Sequence, residues 1–308
     1  MQSLVAVALG GNAVLKRGQR GTFPEQVSNL HGAVRGIIAL LEEGYRVVIT
    51  HGNGPQVGNI LIQNEEAKKL VPPMPLSACG AMSQGLIGFM CQHALSLELI
   101  RRGMDIPVTT VVTRVLIDEQ DPSMNKPSKP IGPFYGEARA REIEKKLGYV
   151  MYEDAGRGWR RMVPSPQPKA IMELSAIKSL VEGGAVIIAA GGGGIPVDSS
   201  GNPVDAVIDK DLTGSLMARQ LGADHLVILT DVPAVALNFG TPQQEFIRRM
   251  TVEEAEEYLQ AGHFPGGSMR PKIRAAMAFA REGGRAVVAD LDSPAAAVRG
   301  EVGTLITR

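Results

Sequence analysis

Three glycine clusters and three lysines carry most of the chemical information in this 308-residue chain. The clusters are Gly10-Gly11-Asn12, Gly52-Asn53-Gly54 and the run from Gly191 to Gly194. Glycine lets the main chain approach an anion closely, and the N–H groups that open a following helix favour negative charge. Taken singly, each cluster is a tight turn. Three of them, each following an apolar run, suggest a site that holds phosphate. The lysines are Lys129 in Ser128-Lys129-Pro130, Lys210 between Asp209 and Asp211, and Lys272 after Gly266-Gly267-Ser268-Met269-Arg270-Pro271. Phosphoryl transfer asks for positive charge around the moving group more than for covalent chemistry. A lone lysine is usually only a solvated surface residue. Two of these stand apart, because carboxylates flank Lys210 and a glycine turn precedes Lys272, each at a predicted helix start.

The elements that would position these groups alternate along the chain. Leu4–Leu9 reads as a strand, and Val27, Leu30, Val34, Ile37, Ile38 and Leu41 mark one face of a helix that Gly44 ends. Strands are predicted over Arg46–Thr50 and Val108–Val112, with a long helix from Ala81 to Arg102 between them. Later strands are Ala185–Ala190, Leu226–Thr230, Ala286–Ala289 and a final edge strand over Gly303–Thr307. Later helices are Ile171–Glu182, Asp211–Leu221, one opened by a Thr251/Glu254 capping box, and Pro271–Arg281. Such alternation implies a mostly parallel sheet with helices on both faces, and such sheets bind ligands beyond the carboxyl ends of their strands. Between Ile117 and Pro168 the rhythm breaks: seven prolines from Pro122 to Pro168 and the only tryptophan, Trp159, flank one short helix over Gly136–Leu147. So long a departure reads as an inserted lid.

Several chemistries are excluded or disfavoured. Lys plus Arg and Asp plus Glu both number 32, so no net basic field draws nucleic acid or an anionic membrane. Cys79 and Cys91 are too few for a disulfide framework and read as buried thiols in a reducing cytoplasm. The start lacks a signal peptide and no stretch is long enough to span a bilayer. No P-loop, dinucleotide fingerprint or HExxH motif occurs. Ala81-Met82-Ser83-Gln84-Gly85 is an imperfect nucleophile elbow, but Pro72-Pro73-Met74-Pro75 precedes it instead of a strand.

The segments ALGGNA (8–13), THGNGPQVG (50–58), CGAMSQG (79–85), KPIGPFY (129–135), WRRMVPSP (159–166), GGGGIPV (191–197), VIDKDL (207–212), LTDV (229–232) and GSMRPK (267–272) occur in this order. Together they closely resemble the carbamate kinases of the amino acid kinase superfamily. The resemblance implies a three-layer α/β/α sandwich around an open, mostly parallel sheet, with residues 1–180 as a carbamate-binding half, the lid inserted at about 117–168, and residues 181–308 as an ATP-binding half. It implies phosphoryl transfer between ATP and carbamate, giving ADP and carbamoyl phosphate, with Mg²⁺ on the nucleotide, and a homodimer. Gly10, Gly11 and Asn12 would face the moving phosphoryl group, and Gly52, Asn53 and Gly54 would hold carbamate. Lys129 would reach in from the lid, Lys210 and Lys272 would contact the ATP phosphates, and Asp209 would hold the lysines. Gly192, Gly193 and Asp231 would lie by the nucleotide, and Arg161, with Arg160 as its competitor, would add charge from the lid. Carbamate is already an anionic nucleophile, so no general base is required and His51 reads as structural. Two departures are Arg270, where a glycine is expected, and Leu76-Ser77-Ala78, which lacks an expected acidic residue. The rival reading is a related phosphotransferase acting on an acidic amino acid derivative. Those families place a lysine in the first glycine loop, where this chain has Asn12.

Overall fold

Leu4–Leu9 is apolar throughout, and its side chains alternate between two cores. Leu4, Ala6 and Ala8 belong to one, Val5, Val7 and Leu9 to the other. A strand buried on both faces must sit inside a sheet, and this one is near the middle of an eight-stranded sheet. The computed structural model describes residues 2–16, 18–154, 156–264 and 268–308. The Gly266-Gly267 turn therefore lies outside the described residues.

From one edge the strand order is Arg249–Thr251, Thr304–Thr307, Arg285–Asp290, His225–Thr230, Leu4–Leu9, Arg46–His51, Val186–Ala189 and Val108–Val111. Every neighbouring pair is parallel except Arg285–Asp290 with Thr304–Thr307. Helices Phe23–Glu42, Leu76–Arg101 and Pro294–Arg299 cover one face; Leu174–Glu182, Lys210–Gln220, Val252–Gln260 and Met269–Arg281 cover the other. The three-layer sandwich is as the sequence predicts. The sheet runs unbroken through residues on both sides of 180, and Val186–Ala189 lies between two strands that precede that position.

Two corrections follow. Thr304–Thr307 is not the edge, because Arg249–Thr251 pairs outside it. A helix absent from the sequence reading, Gly54–Ala67, opens at the second glycine cluster. The inserted segment is built, not irregular. Lys129–Tyr135, Trp159–Val163 and Val150–Glu153 form a three-stranded antiparallel sheet, with helix Glu137–Leu147 packed on it through Ala140, Ile143 and Met151. This lid rests on the helix Gly54–Ala67 through Ile131 and Val163, which share a small core with Val57 and Ile60.

Gly36 and Gly32 lie on the same helix, Phe23–Glu42, and test how closely it packs. A methyl group on Gly36 would overlap the Pro294 ring, 2.6 Å from its Cγ, whereas one on Gly32 meets nothing within 4 Å. Gly36→Ala is expected to destabilise by about 1–3 kcal/mol by overpacking. Gly32→Ala should stabilise by about 0.5–1 kcal/mol through helix propensity. Urea denaturation of the two variants checks the opposite signs.

Candidate active site

The parallel strands bring their carboxyl ends to one edge of the sheet, and the glycine clusters follow from that arrangement. Gly10 continues Leu4–Leu9, Gly52 continues Arg46–His51, and Gly191 follows Val186–Ala189. A cleft of about 820 Å³ opens over this edge. Its wall includes Gly10, Gly11, Asn12, Gly52, Asn53 and Gly54 from the first two clusters, and Lys129, Asp209, Lys210, Asp231 and Lys272. At the other end the wall is apolar, with Ala234, Ala236, Phe239, Phe264 and Met269.

The first two loops and Lys210 meet at one point. A Cβ on Gly52 would stand 3.2 Å from Lys210 Cδ and 3.3 Å from the Gly11 nitrogen, tighter than ordinary van der Waals contact, so glycine eases this approach. Asn53 does not cap the helix it precedes; its amide donates to Ser83 Oγ at 2.8 Å, and Ser83 donates to the Gly80 carbonyl at 2.7 Å. The first-turn N–H groups of that helix have no intrahelical partner, and Gly54 and Pro55 line the cleft there. Ser83, fully buried within helix Leu76–Arg101, is thus a prop for Asn53 and no nucleophile. Its burial disposes of the elbow reading.

The cations are held by two carboxylates. Asp211 is buried and accepts from Lys210 Nζ at 2.6 Å and Lys272 Nζ at 3.1 Å. Asp209 caps helix Lys210–Gln220, accepting from the Asp211 N–H at 3.0 Å, and its other oxygen accepts from Lys129 Nζ at 3.0 Å. Burial would raise the Asp211 carboxyl, but the two ammonium groups prevail and hold it below the usual carboxylate range. Burial lowers the Lys272 ammonium, with Asp211 opposing. Asp209 was expected to hold the lysines; it pairs with Lys129, while Asp211, read from the sequence only as a carboxylate flanking Lys210, takes Lys210 and Lys272. Helix Met269–Arg281 starts two residues earlier than predicted, and Arg270 donates from Nε to the Phe264 carbonyl at 3.2 Å, away from the cleft wall. Asn12 donates to Asp231 Oδ2 at 2.8 Å, linking the first loop to the end of His225–Thr230.

Two expected contacts move. Gly192 lines the cleft but Gly193 is buried beneath it, packed so closely that a side chain there would overlap the Ile208 carbonyl. The run from Gly191 to Gly194 works as packing space. Gly191 leaves room for the His51 ring, Gly192 for the Asn53 amide and Gly194 for Val115, and Gly192 to Gly194 take φ of 67°, 95° and 82°. Arg161 is not on the cleft wall. Its Nη2 donates to Asp205 at 2.6 Å and its guanidinium lies 3.5 Å over the Tyr149 ring, whereas Arg160 lines the cleft.

His51 is buried, and its Nδ1 must donate to the Gly52 carbonyl at 3.0 Å. Burial, with the Lys210 charge assisting, pushes its imidazole down to about 4. A folded value below the ordinary 6.5 means the unfolded chain takes up a proton that the folded one refuses. The corresponding stability is fully present above about pH 6.5 and is lost as pH falls towards 4. Denaturation at pH 7.5 and 4.5 should show the wild type losing about 2–3 kcal/mol more than His51→Gln. Equal losses would show that His51 is not held neutral. His225, also lowered by burial, contributes equally to both proteins and cancels.

A model of the amino acid kinase family matches residues 3–290. Carbamate kinase from Pyrococcus horikoshii is 48% identical, covering 100% of each chain, and that from Thermococcus kodakarensis is 47% identical over 99% of each. Among solved structures, carbamate kinase from Giardia lamblia bound to AMP-PNP superimposes with a TM-score of 0.95 at 40% identity, covering 99% of this chain and 98% of that one. N-acetylglutamate synthase from Neisseria gonorrhoeae shares the fold alone, at 14% identity and a TM-score of 0.57.

Proposed function

The chain belongs to the amino acid kinase family and, within it, to the carbamate kinases, and on that premise we propose that it moves a phosphoryl group reversibly between ATP and carbamate. The observation that carries the reading is Lys129, which the lid delivers to a cleft whose first glycine loop offers Asn12 in place of a lysine. Residues 1–180 supply the carbamate side and residues 181–308 the nucleotide side, with the base at the apolar end of the cleft and its phosphates beside Lys210 and Lys272.

In the direction of ATP synthesis, an ADP β-phosphate oxygen attacks phosphorus and the bond to the carbamate oxygen breaks, releasing carbamate. Neither step needs a proton, which agrees with the neutral, buried His51. Gly10 and Gly11 let the main chain approach the transferring group, and the helix that opens at Gly54 holds the carbamoyl end. Lys129, Lys210 and Lys272 offset the charge that gathers on the equatorial oxygens. Among the described residues, the cleft carboxylates Asp209 and Asp211 are paired with lysines and Asp231 is not. Among the described residues no three metal-ligating side chains cluster. This donor set fits a Mg²⁺ ion that arrives on the nucleotide phosphates and keeps most of its waters. Bound there, it would neutralise phosphate charge.

Among the described residues no helix is long and apolar enough to cross a membrane. A cytoplasmic setting suits the buried thiols of Cys79 and Cys91. Exposed Met82, Leu86 and Phe89 form a stripe on helix Leu76–Arg101, and Phe89 stacks on exposed Phe23 at 6.5 Å. A second copy of the chain would cover it around a two-fold axis.

A coupled assay for ATP from ADP and carbamoyl phosphate tests the activity. Lys129→Ala should lower kcat by about 100-fold or more, on the scale of losing one charged transition-state contact. Turnover of acetylglutamate, with none of carbamoyl phosphate, would favour the related phosphotransferase instead. Light scattering tests the assembly: the wild type should be a dimer and Phe89→Asp a monomer.

A further inference from the structure

The lid carries a guanidinium in the cleft wall that lacks a full set of partners. Arg160 is 19% exposed, and its contacts within the lid are weak. Its Nη1 lies 3.4 Å from Asp154, a carboxylate that Arg157 engages more closely at 2.8 Å, and its guanidinium sits 5.0 Å from the Phe134 ring centroid. Arg160 Nε is buried and has no hydrogen-bond partner among the described residues. A buried donor left unmet is unfavourable, so the position gains when an acceptor arrives.

The strand pairing singles out the same residue. Ile131 pairs with Arg161 and Tyr135 with Trp159, so residues 132–134 on one strand oppose Arg160 alone on the other. Bulges of this kind re-aim a side chain and recur beside active sites. Gly132, at φ 72°, lies in this bulge and also lines the cleft. The neighbouring Arg161 is committed elsewhere. Its bond to Asp205, with the Val207 N–H donating to the Pro164 carbonyl at 3.0 Å, ties the base of the lid to the segment before Lys210. One arginine anchors the lid and the other is left to face the cleft.

We propose that Arg160 is a substrate-binding residue on the acceptor side of the reaction, binding the acyl phosphate oxygens of carbamoyl phosphate and, in the other direction, the carboxylate of carbamate. The planar fork of a guanidinium matches both groups. The acceptor side is favoured over the nucleotide because the lid strand bearing Lys129 packs on helix Gly54–Ala67, which opens at the second glycine loop. This inference rests on the carbamate kinase reading above, which leaves open which of the two adjacent lid arginines serves the site; the strand bulge and the Asp205 pairing assign the role to Arg160 and give it the acceptor as its ligand.

Steady-state kinetics of ATP formation by Arg160→Ala and Arg160→Lys test it. The KM for carbamoyl phosphate should rise about tenfold or more in Arg160→Ala, with the KM for ADP nearly unchanged. Added guanidinium ion should restore part of the loss, and Arg160→Lys should recover little because it lacks the fork. An unchanged KM for carbamoyl phosphate, or an equal rise for ADP, overturns the proposal. Calorimetry with phosphonoacetamide, a stable analogue, reads the contact without turnover: weaker binding by Arg160→Ala supports it and equal binding overturns it. A wild type that binds the analogue but forms no ATP would sink the kinase reading while leaving the Arg160 result standing.

Discussion

A single buried carboxylate, Asp211, fixes the charge geometry of the cleft. It sits between Lys210 and Lys272, which come from two different helices, and it is 3% exposed. Burying such a group costs desolvation that its partners only offset, so the triad is a poor source of stability. What it supplies is position. Lys210 opens one helix and Lys272 lies in the first turns of another, and Ser215 Oγ donates to the Ala275 carbonyl at 2.8 Å to lock the two helices together. Asp209, at the cap of the first helix, extends the same charge network to the lid by accepting from Lys129. Three cations are thereby placed before any phosphate arrives, with little left to reorganise.

The run from Gly191 to Gly194 serves that geometry indirectly. Each missing side chain admits a neighbour: His51, Asn53, the Ile208 carbonyl and Val115 in turn. Buried hydrogen bonds hold the run from behind. Thr50 Oγ1 donates to the Ala190 carbonyl at 3.0 Å, the Ala190 N–H donates to Thr113 Oγ1 at 2.9 Å, and Thr213 Oγ1 donates to the Gly193 carbonyl at 3.0 Å. Gln84 meets Thr113 with reciprocal bonds of 2.8 and 3.1 Å. The second glycine loop and the cap of helix Lys210–Gln220 are therefore packed on opposite sides of one rigid turn.

The layers and most strands of the eight-stranded sheet were legible in the sequence because apolar runs ending in glycine are a strong local signal, and the order of elements implies a parallel sheet. The lysines were legible because their neighbours are unusual. Three features of the site were not. Helix Gly54–Ala67 has few buried residues, Gln56, Val57 and Ile60, so its periodicity is faint. The role of Asp211 depends on Lys272, 61 positions away, and nothing local distinguishes it from Asp209. The choice between Arg160 and Arg161 is made by a bulge in the opposite strand, which adjacent side chains in sequence cannot reveal. The tetraglycine run looked like a phosphate cradle because close approach of protein and close approach of anion call for the same residue.

The order of strands in the sheet also bears on how the chain must fold. Leu4–Leu9 precedes the other strands of the sheet in sequence, yet one of its two neighbours is His225–Thr230, and the gap between Arg46–His51 and Val108–Val111 is filled by Val186–Ala189. Until His225–Thr230 is made, this wholly apolar strand has an open edge, and no subset of the strands before Val186 closes the gap beside Arg46–His51. Contacts this distant in sequence slow folding, and open edges in the meantime invite pairing with other chains. The cleft, assembled from the ends of these same strands, forms only once Val186–Ala189 and His225–Thr230 have joined them, so the emergence of binding capacity reports that closure.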